Sequence, residues 1–453
     1  MEKNEGKCIL MFQSLIRGIA NDTADNIIER MLKDEYAENL FVLITAAQKL
    51  TVRAIIEACM RGESGEVLSR SLGSPNVQSP WNKLYLNPTQ LFSLPTKDEF
   101  AVDTQVTIGK NAVKPLKLSM PIMITGMSYG ASLSLNAKIA LAKGASLAGI
   151  STNTGEAPVT NEERKAATLL IGQYNRYRSL CTVEQLSQLD AIEVQLGQGA
   201  WGGAMIGSIK SENIGDHMRE SWHLGENKPA NRGSRFEEAN TPKEIIDLVN
   251  KLKKDYEVPV GIKIAASHFI EKELDIVMQT NADFITIDGA EGGTAGSPPT
   301  LQDDMGLPTL YAVSRAAKYL EQNGVKDKYD IILAGGLSTP GHFLKALALG
   351  ASAVYIGSIA LIAMIQAQAV KATPNEPTPQ LVLYDGKLTD ELDVELGAKT
   401  LSNFLNSCNE EMKLALVAMG KTGFSQLSTA DLVTVDKDLS DCLGIGYAGY
   451  PSN

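Results

Sequence analysis

Lys263 stands in the middle of the apolar run Val260 to Ala265, where an ammonium is costly to bury unless it is paired or reaches a ligand. A cation so placed can stabilise negative charge on a bound molecule, form a Schiff base, or close an end-of-strand salt bridge. Glu156 closes the run Asn153-Thr154-Gly155-Glu156, where it is either a proton acceptor or relay or an ordinary loop carboxylate. The stretch Asp283 to Pro299 carries Gly289, Gly292, Gly293 and Gly296 behind a short apolar segment. Glycine lets a backbone approach a ligand closely, and successive free N–H groups make an anion-binding concavity. A planar or anionic ligand therefore suits this loop, and so does a plain turn. His268 follows Lys263 by five residues as a ligand donor or a structural histidine. His217 and His223 lie in a polar insertion, Ser208 to Asn240, with Arg219, Arg232 and Arg235; it reads as a solvated loop or a lid.

Positioning these side chains falls to a series of short apolar runs. They are Pro121 to Thr125, Ala148 to Ser151, Thr168 to Gly172, Ala191 to Leu196, Val258 to Ile264, Phe284 to Ile287, Ile331 to Ala334 and Ala353 to Ile356. Most end in a glycine-bearing loop, and helical spacing follows, as in Leu135 to Ala145. Strands apolar throughout and alternating with helices predict a buried parallel sheet, and eight such units over roughly 250 residues predict a closed (β/α)8 TIM barrel of the α/β class. In that fold the site lies at the C-terminal ends of the strands, and a phosphate is commonly held by the last two loops. Those loops are Ala334-Gly335-Gly336-Leu337-Ser338-Thr339 and Ile356-Gly357-Ser358-Ile359-Ala360, rich in bare N–H groups and hydroxyls.

Residues 1–80 read as amphipathic helices, from the three- and four-residue spacing of Leu10, Phe12, Leu15, Ile16 and Ile19, then Ile27, Ile28, Met31 and Leu32, then Leu40, Phe41, Leu43 and Ile44. Residues 81–120 read as an extended arm, 121–372 as the barrel, and 373–453 as a C-terminal helical segment and tail. With 453 residues, 44% hydrophobic and 21% charged, the chain can bury one large core. A net charge of −11 argues against nucleic acid, which demands clustered positive charge. The five cysteines are too far apart in sequence for a zinc or close-spaced iron–sulfur ligand run, so no metal is expected. The absence of a signal-peptide core or a long apolar run predicts a soluble, cytoplasmic protein.

The motifs Gly126-Met127-Ser128-Tyr129-Gly130-Ala131-Ser132-Leu133, Asn153 to Glu156, Gly197-Gln198-Gly199-Ala200, Lys263, Gly289 to Pro298 and Gly335 to Thr339 occur in an order and spacing that resembles the FMN-binding synthase domain of the glutamate synthase family. The resemblance covers roughly residues 85–435. It implies an FMN barrel with the phosphate at Gly335, Gly336, Gly357 and Ser358, the ring near Met127, Ser128 and Gln198, Lys263 at its N1–O2 edge, and Gly292, Gly293 and Thr294 completing the contacts. Beside reduced flavin, whose N1 is negative, a lysine favours hydride acceptance. Ser128 and Gln198 would orient the ring, and Glu156 would relay a proton.

Departures from the family pattern shape the functional expectation. Trp201-Gly202-Gly203 follows Gly-Gln-Gly-Ala where the family has a lysine and a Pro-Gly-Glu-Gly-Gly run, and Gln195 stands where the family tends to have another lysine. Loss of that cation removes a charge-assisted bond of roughly 1.5–3 kcal/mol to a keto-acid carboxylate, which argues against 2-oxoglutarate. Ala363 to Ala372 lacks the family's three cysteines, so no iron–sulfur cluster is expected. No glutaminase domain precedes the barrel, so ammonia from glutamine would have to come from an amidotransferase partner. The expected function is an FMN-dependent oxidoreductase acting on a small molecule, with NAD(P)H or a separate electron-donor protein. A non-redox FMN isomerase and a non-catalytic flavin-binding subunit are the alternatives. A helical arm on a barrel also suits a homo-oligomer.

Overall fold

A computed structural model describes residues 2–35, 39, 41–98, 101–204, 206–373 and 375–451. The chain divides into two units, Met1–Leu68 and Ser69–Asn453. The first contains three helices, Glu2–Lys33, Phe41–Leu50 and Val52–Ser64. The apolar stripe expected there is largely solvent-facing: Ile19, Ile27, Ile28, Leu32 and Ile44 are all exposed. The side chains of Leu10 to Ile16, Phe41 and Leu43, and Leu40 as a whole, lie outside the described residues. The helices end at Ser64, and the segment from Ser69 belongs with the second unit: Arg70 and Ser297 exchange two backbone hydrogen bonds, and Leu72 N–H donates to the Thr294 carbonyl at 2.8 Å.

Eight parallel strands form the centre of the second unit: β1 (Ile122–Ile124), β2 (Thr152–Asn153), β3 (Leu170–Tyr174), β4 (Ala191–Gln195), β5 (Val260–Ala265), β6 (Phe284–Asp288), β7 (Asp330–Ala334) and β8 (Ala353–Ile356). They run β1-β8-β7-β6-β5-β4-β3-β2. A hydrogen bond from Ile124 N–H to the Ser151 carbonyl, 3.0 Å, brings the two ends together, giving a nearly closed TIM barrel. The second strand falls just beyond the apolar run Ala148 to Ser151. That run is spent on ending the preceding helix, because Gly149 adopts φ +67° and turns the chain before the strand begins.

Alternation along the strands builds the barrel interior in layers. Near the N-terminal ends Ile171, Ala191, Phe284, Ile332 and Ala353 pack together. Gly261 makes room for the Phe284 ring, which a Cβ would meet at 2.2 Å. Within 81–120 the chain forms an antiparallel hairpin, Val106–Ile108 with Leu116–Leu118, whose Ile108, Leu116 and Leu118 join this cluster. Its Gly109 N–H donates to Asp330 Oδ2 at the start of β7 (2.8 Å), so the hairpin plugs the end of the barrel away from the glycine loops. The long C-terminal helix Val394–Ala418 lies against the helix Leu135–Leu147, where Gly144 admits Leu401. The strand Leu432–Thr434 returns to pair with Leu84–Leu86.

Candidate active site

Above the apolar layer the barrel interior turns polar. Glu193 on β4, fully buried, accepts hydrogen bonds from Gln173 Nε2 (2.8 Å), Asn153 Nδ2 (3.3 Å) and Thr286 Oγ1 (2.6 Å). Register sets Lys263 beside Gln195 of β4 and Thr286 of β6. Lys263, 2% exposed, brings its Nζ to 3.3 Å from Asp288 Oδ2. Burial pulls this ammonium down, but Asp288, Glu193 and Glu156 outweigh it and hold it above its ordinary value. Lys263 is therefore a charged, caged cation, with Asp288 and Glu193 as its counter-charges. Burial together with Glu193 also raises the Tyr355 hydroxyl well above its usual range.

The loops after the strands converge on one cavity of about 1100 Å³, lined by Met127, Ser128, Glu156, Gln198 and Lys263 among others. Gly293, Thr294, Gly335, Gly336, Gly357 and Ser358 line it as well. Gly292 sits off the wall: its N–H donates to the Gly289 carbonyl at 2.9 Å, and a Cβ there would come within 2.6 Å of Asp288 Oδ1. Gly155, at φ +64°, passes so close to β1's loop that a Cβ would lie 2.6 Å from Ser128 N. That approach lets Glu156 N–H donate to Ser128 Oγ at 2.8 Å. Gln195 Nε2 donates to Gln198 Oε1 at 3.2 Å, and Trp201 Nε1 donates to Thr294 Oγ1 at 3.1 Å. The loop after β7 is pinned from below by Thr309, whose one hydroxyl proton is shared between the Gly335 carbonyl (2.9 Å) and the Glu291 carboxylate, which also accepts from Thr309 N–H.

Arg232 is the residue the sequence did not single out from its polar surroundings. The insertion contains a hairpin, Gly207–Ile209 with Ala230–Arg232, and its last residue turns into the cavity. The Arg232 guanidinium forms a buried ion pair with Glu156 and lies 5.1 Å from the Tyr177 ring centre and 5.6 Å from that of Trp201. Burial pushes the Glu156 carboxyl above its ordinary range, against the pull of Arg232, Arg176 and Lys263. Among the described residues Glu156 Oε1, Arg232 Nε and Gln195 Oε1 are buried without a hydrogen-bond partner. Of the four histidines His342 lines the cavity, but the three that the sequence singled out do not. His268 lies beside Arg315 (Nδ1 to Nη1, 3.2 Å) off the cavity wall, and His217 bonds Tyr129 OH at 2.8 Å beside a second, smaller pocket that His223 also lines. No group of three metal-ligating side chains occurs among the described residues, and no helix there is long and apolar enough to cross a membrane.

Fold and site together define a (β/α)8 barrel enzyme whose last two strand loops open onto the cavity through glycines and whose centre holds a caged lysine. The conserved region in glutamate synthase matches residues 75–422, and the chain belongs to the glutamate synthase family. Membership makes it an FMN-dependent oxidoreductase. Among relatives, it is 30% identical to an archaeal-type glutamate synthase (NADPH) of Thermotoga maritima over 400 residues, 83% of this chain and 78% of that one. It is 30% identical to a glutamate synthase large subunit-like protein of Rhizobium meliloti over 77% of this chain and 83% of the relative. In fold it is similar to the flavin-binding domain of baker's yeast flavocytochrome b2, with a TM-score of 0.51 and 17% identity over 84% of each chain.

Proposed function

We propose that the protein transfers a hydride between bound FMN and a small anionic substrate at the mouth of the barrel, with Lys263, Glu156 and Gln198 as its catalytic side chains. The observation that carries this reading is Lys263, a caged cation facing the same cavity as the glycine loops. FMN, when bound, supplies a reversible hydride acceptor that no side chain provides. The residues present fit it. The N–H groups of Gly336, Gly357 and Ser358 have no acceptor among the described residues and would take the phosphate. Met127, Ser128, Gly293 and Thr294 would hold the ring and ribityl chain, with Gly292 shaping the loop behind them, and the unpartnered Gln195 Oε1 supports a polar ligand group beside Gln198.

In this reading Lys263 stabilises negative charge beside the ring, and Gln198 and Ser128 fix its orientation. Arg232 takes the substrate's carboxylate in place of Glu156. Glu156, already above its ordinary range, is then free to hold or release the proton that accompanies the hydride. Trp201 presents an indole where the related enzymes have a lysine, which favours a substrate with one carboxylate over 2-oxoglutarate. NADPH is the first donor to offer, since it is in the relatives' names; a separate electron-donor or amidotransferase protein is the other source. The test is anaerobic stopped-flow on purified protein. FMN released on denaturation, reduced by NADPH in the holoprotein and re-oxidised by a monocarboxylate keto or imino acid supports the reading. A colourless protein that binds no added FMN sinks it, and turnover without net electron consumption points to an isomerase instead.

A further inference from the structure

We propose that the cavity has a second redox occupant, an uncharged apolar acceptor of the quinone class, seated in the lobe over β8 and β1. The inference rests on the FMN reading above. The helix after β8, Ser358–Ile365, is Ser-Ile-Ala-Leu-Ile-Ala-Met-Ile, apolar on every side. A surface helix normally carries a polar face, yet only Ala360, Met364 and Ile365 of this one are buried. Ile362 is 55% exposed. With Leu133, Ile359, Leu361, Ile365 and Leu383 it lines the cavity.

Charge divides that cavity in two. Over β2 to β6 its wall includes Glu156, Arg232, Lys263 and Asp288; along residues 125–133 and 357–383 no charged side chain lines it among the described residues. With the Gly336, Gly357 and Ser358 N–H groups taken by the FMN phosphate, a second phosphate-bearing ligand such as a nicotinamide dinucleotide would find neither an open N–H cradle nor a charged side chain in this lobe, and an unpaired buried charge is strongly disfavoured. A quinone brings none. Its ring suits the aliphatic wall, and Ser132, Gln366 and Thr378 supply hydrogen-bond donors for its two carbonyl oxygens. At about 1100 Å³ the space exceeds the roughly 300–1,000 Å³ of a one-ligand pocket, leaving room for FMN and a second molecule. The quinone gains two electrons and two protons to become the quinol. The hydride that FMN takes from NADPH, the donor named above, supplies both electrons and one proton, and solvent supplies the second proton, so the exchange balances through FMN.

Menadione is the probe. FMN-loaded protein is photoreduced anaerobically, which needs no substrate, and re-oxidation is followed by flavin absorbance after mixing with menadione or with the anionic acceptor ferricyanide. The expected result is a menadione rate that saturates, falls by about tenfold or more in Ile362→Lys because a charge must be desolvated against an apolar ring, and is retained in Ile362→Leu. The ferricyanide rate does not fall. Ile362→Gln serves the same purpose if the lysine variant fails to fold. Trp81 and Trp201 both stand in the cavity wall, so menadione quenching of tryptophan fluorescence that is lost in Ile362→Lys reads occupancy of this lobe with or without FMN. A non-saturating menadione rate that Ile362→Lys leaves unchanged overturns the proposal, as does saturation abolished competitively by the small acid. Quenching in a protein that never binds FMN instead overturns the flavin reading and leaves the apolar lobe standing.

Discussion

Arg232, at the end of a short strand in the insertion, pairs with Glu156 in the loop after β2, and both side chains are almost wholly buried. Removing one member of such a pair leaves an uncompensated charge and typically costs roughly 3–5 kcal/mol. Arg232→Gln should therefore destabilise the protein more than Arg232→Gln with Glu156→Gln, and thermal melts of the two singles and the double give the coupling. Arg232→Lys should not restore substrate affinity, because a point ammonium cannot reproduce the planar guanidinium lying near both Tyr177 and Trp201. If the double variant melts no higher than Arg232→Gln, the pair is not coupled as the geometry requires.

Lys263 makes a related but separable prediction. Lys263→Ala should slow FMN reduction, and it should also lower stability, since Asp288 and Glu193 would remain as neighbouring buried carboxylates without their cation. Adding Asp288→Asn should recover much of the stability while leaving flavin reduction impaired. Melting curves and stopped-flow reduction on the same preparations separate the two effects. Equal recovery of both would mean that Lys263 acts only through the fold.

Lys263 was legible in the sequence because a charged residue inside an apolar strand is an unresolved cost until a partner is found. Glu193 carries the same signal inside Ala191 to Leu196, and its place in the barrel centre could have been read in the same way. Eight strands and the ring of loops were legible too, since apolar runs ending at glycines repeat in register with the fold. Arg232 was not. Its partner is 76 residues away, and a three-residue strand in a polar insertion has no periodicity to set it apart from a solvated loop. The hairpin that plugs the barrel was equally hidden, because three-residue strands such as Leu116–Leu118 look like any extended arm until they meet Ile332 and Ala353.

Acidity should separate Glu156 from Lys263. Glu156 has its folded pKa raised from 4.5, so the native state binds its proton more tightly than the unfolded chain. Its contribution is most favourable below 4.5 and is lost as pH rises through the raised value. Lys263, also raised, contributes fully below 10.5 and loses that contribution only in more alkaline solution. Between those limits a difference in slope belongs to Glu156. The melting temperature of Glu156→Gln relative to the parent should thus climb as pH is raised from about 4 through the mildly acidic range, whatever constant offset the unpaired Arg232 adds. Parallel curves for the two proteins across that range would remove the buried carboxylate from the account.

Two cradle glycines should differ in whether they can be rescued. At Gly335 the backbone has φ +120°, and an added Cβ would meet Thr309 Oγ1 at 2.3 Å and Gly289 N at 2.9 Å. Both the conformation and a neighbouring main chain oppose it, so Gly335→Ala should displace the loop and lose FMN, with no single compensating change. Gly357 has φ −127°, within ordinary range, and its Cβ would meet only the Thr125 methyl, at 2.9 Å. Gly357→Ala should weaken FMN retention on gel filtration, and Thr125→Ser, which removes that methyl, should restore it. The same pairing applied to Gly335, Gly335→Ala with Thr309→Ala, should fail, because φ and the Gly289 main chain remain. Rescue at 335, or its absence at 357, would show that the cradle is shaped by something other than these two contacts.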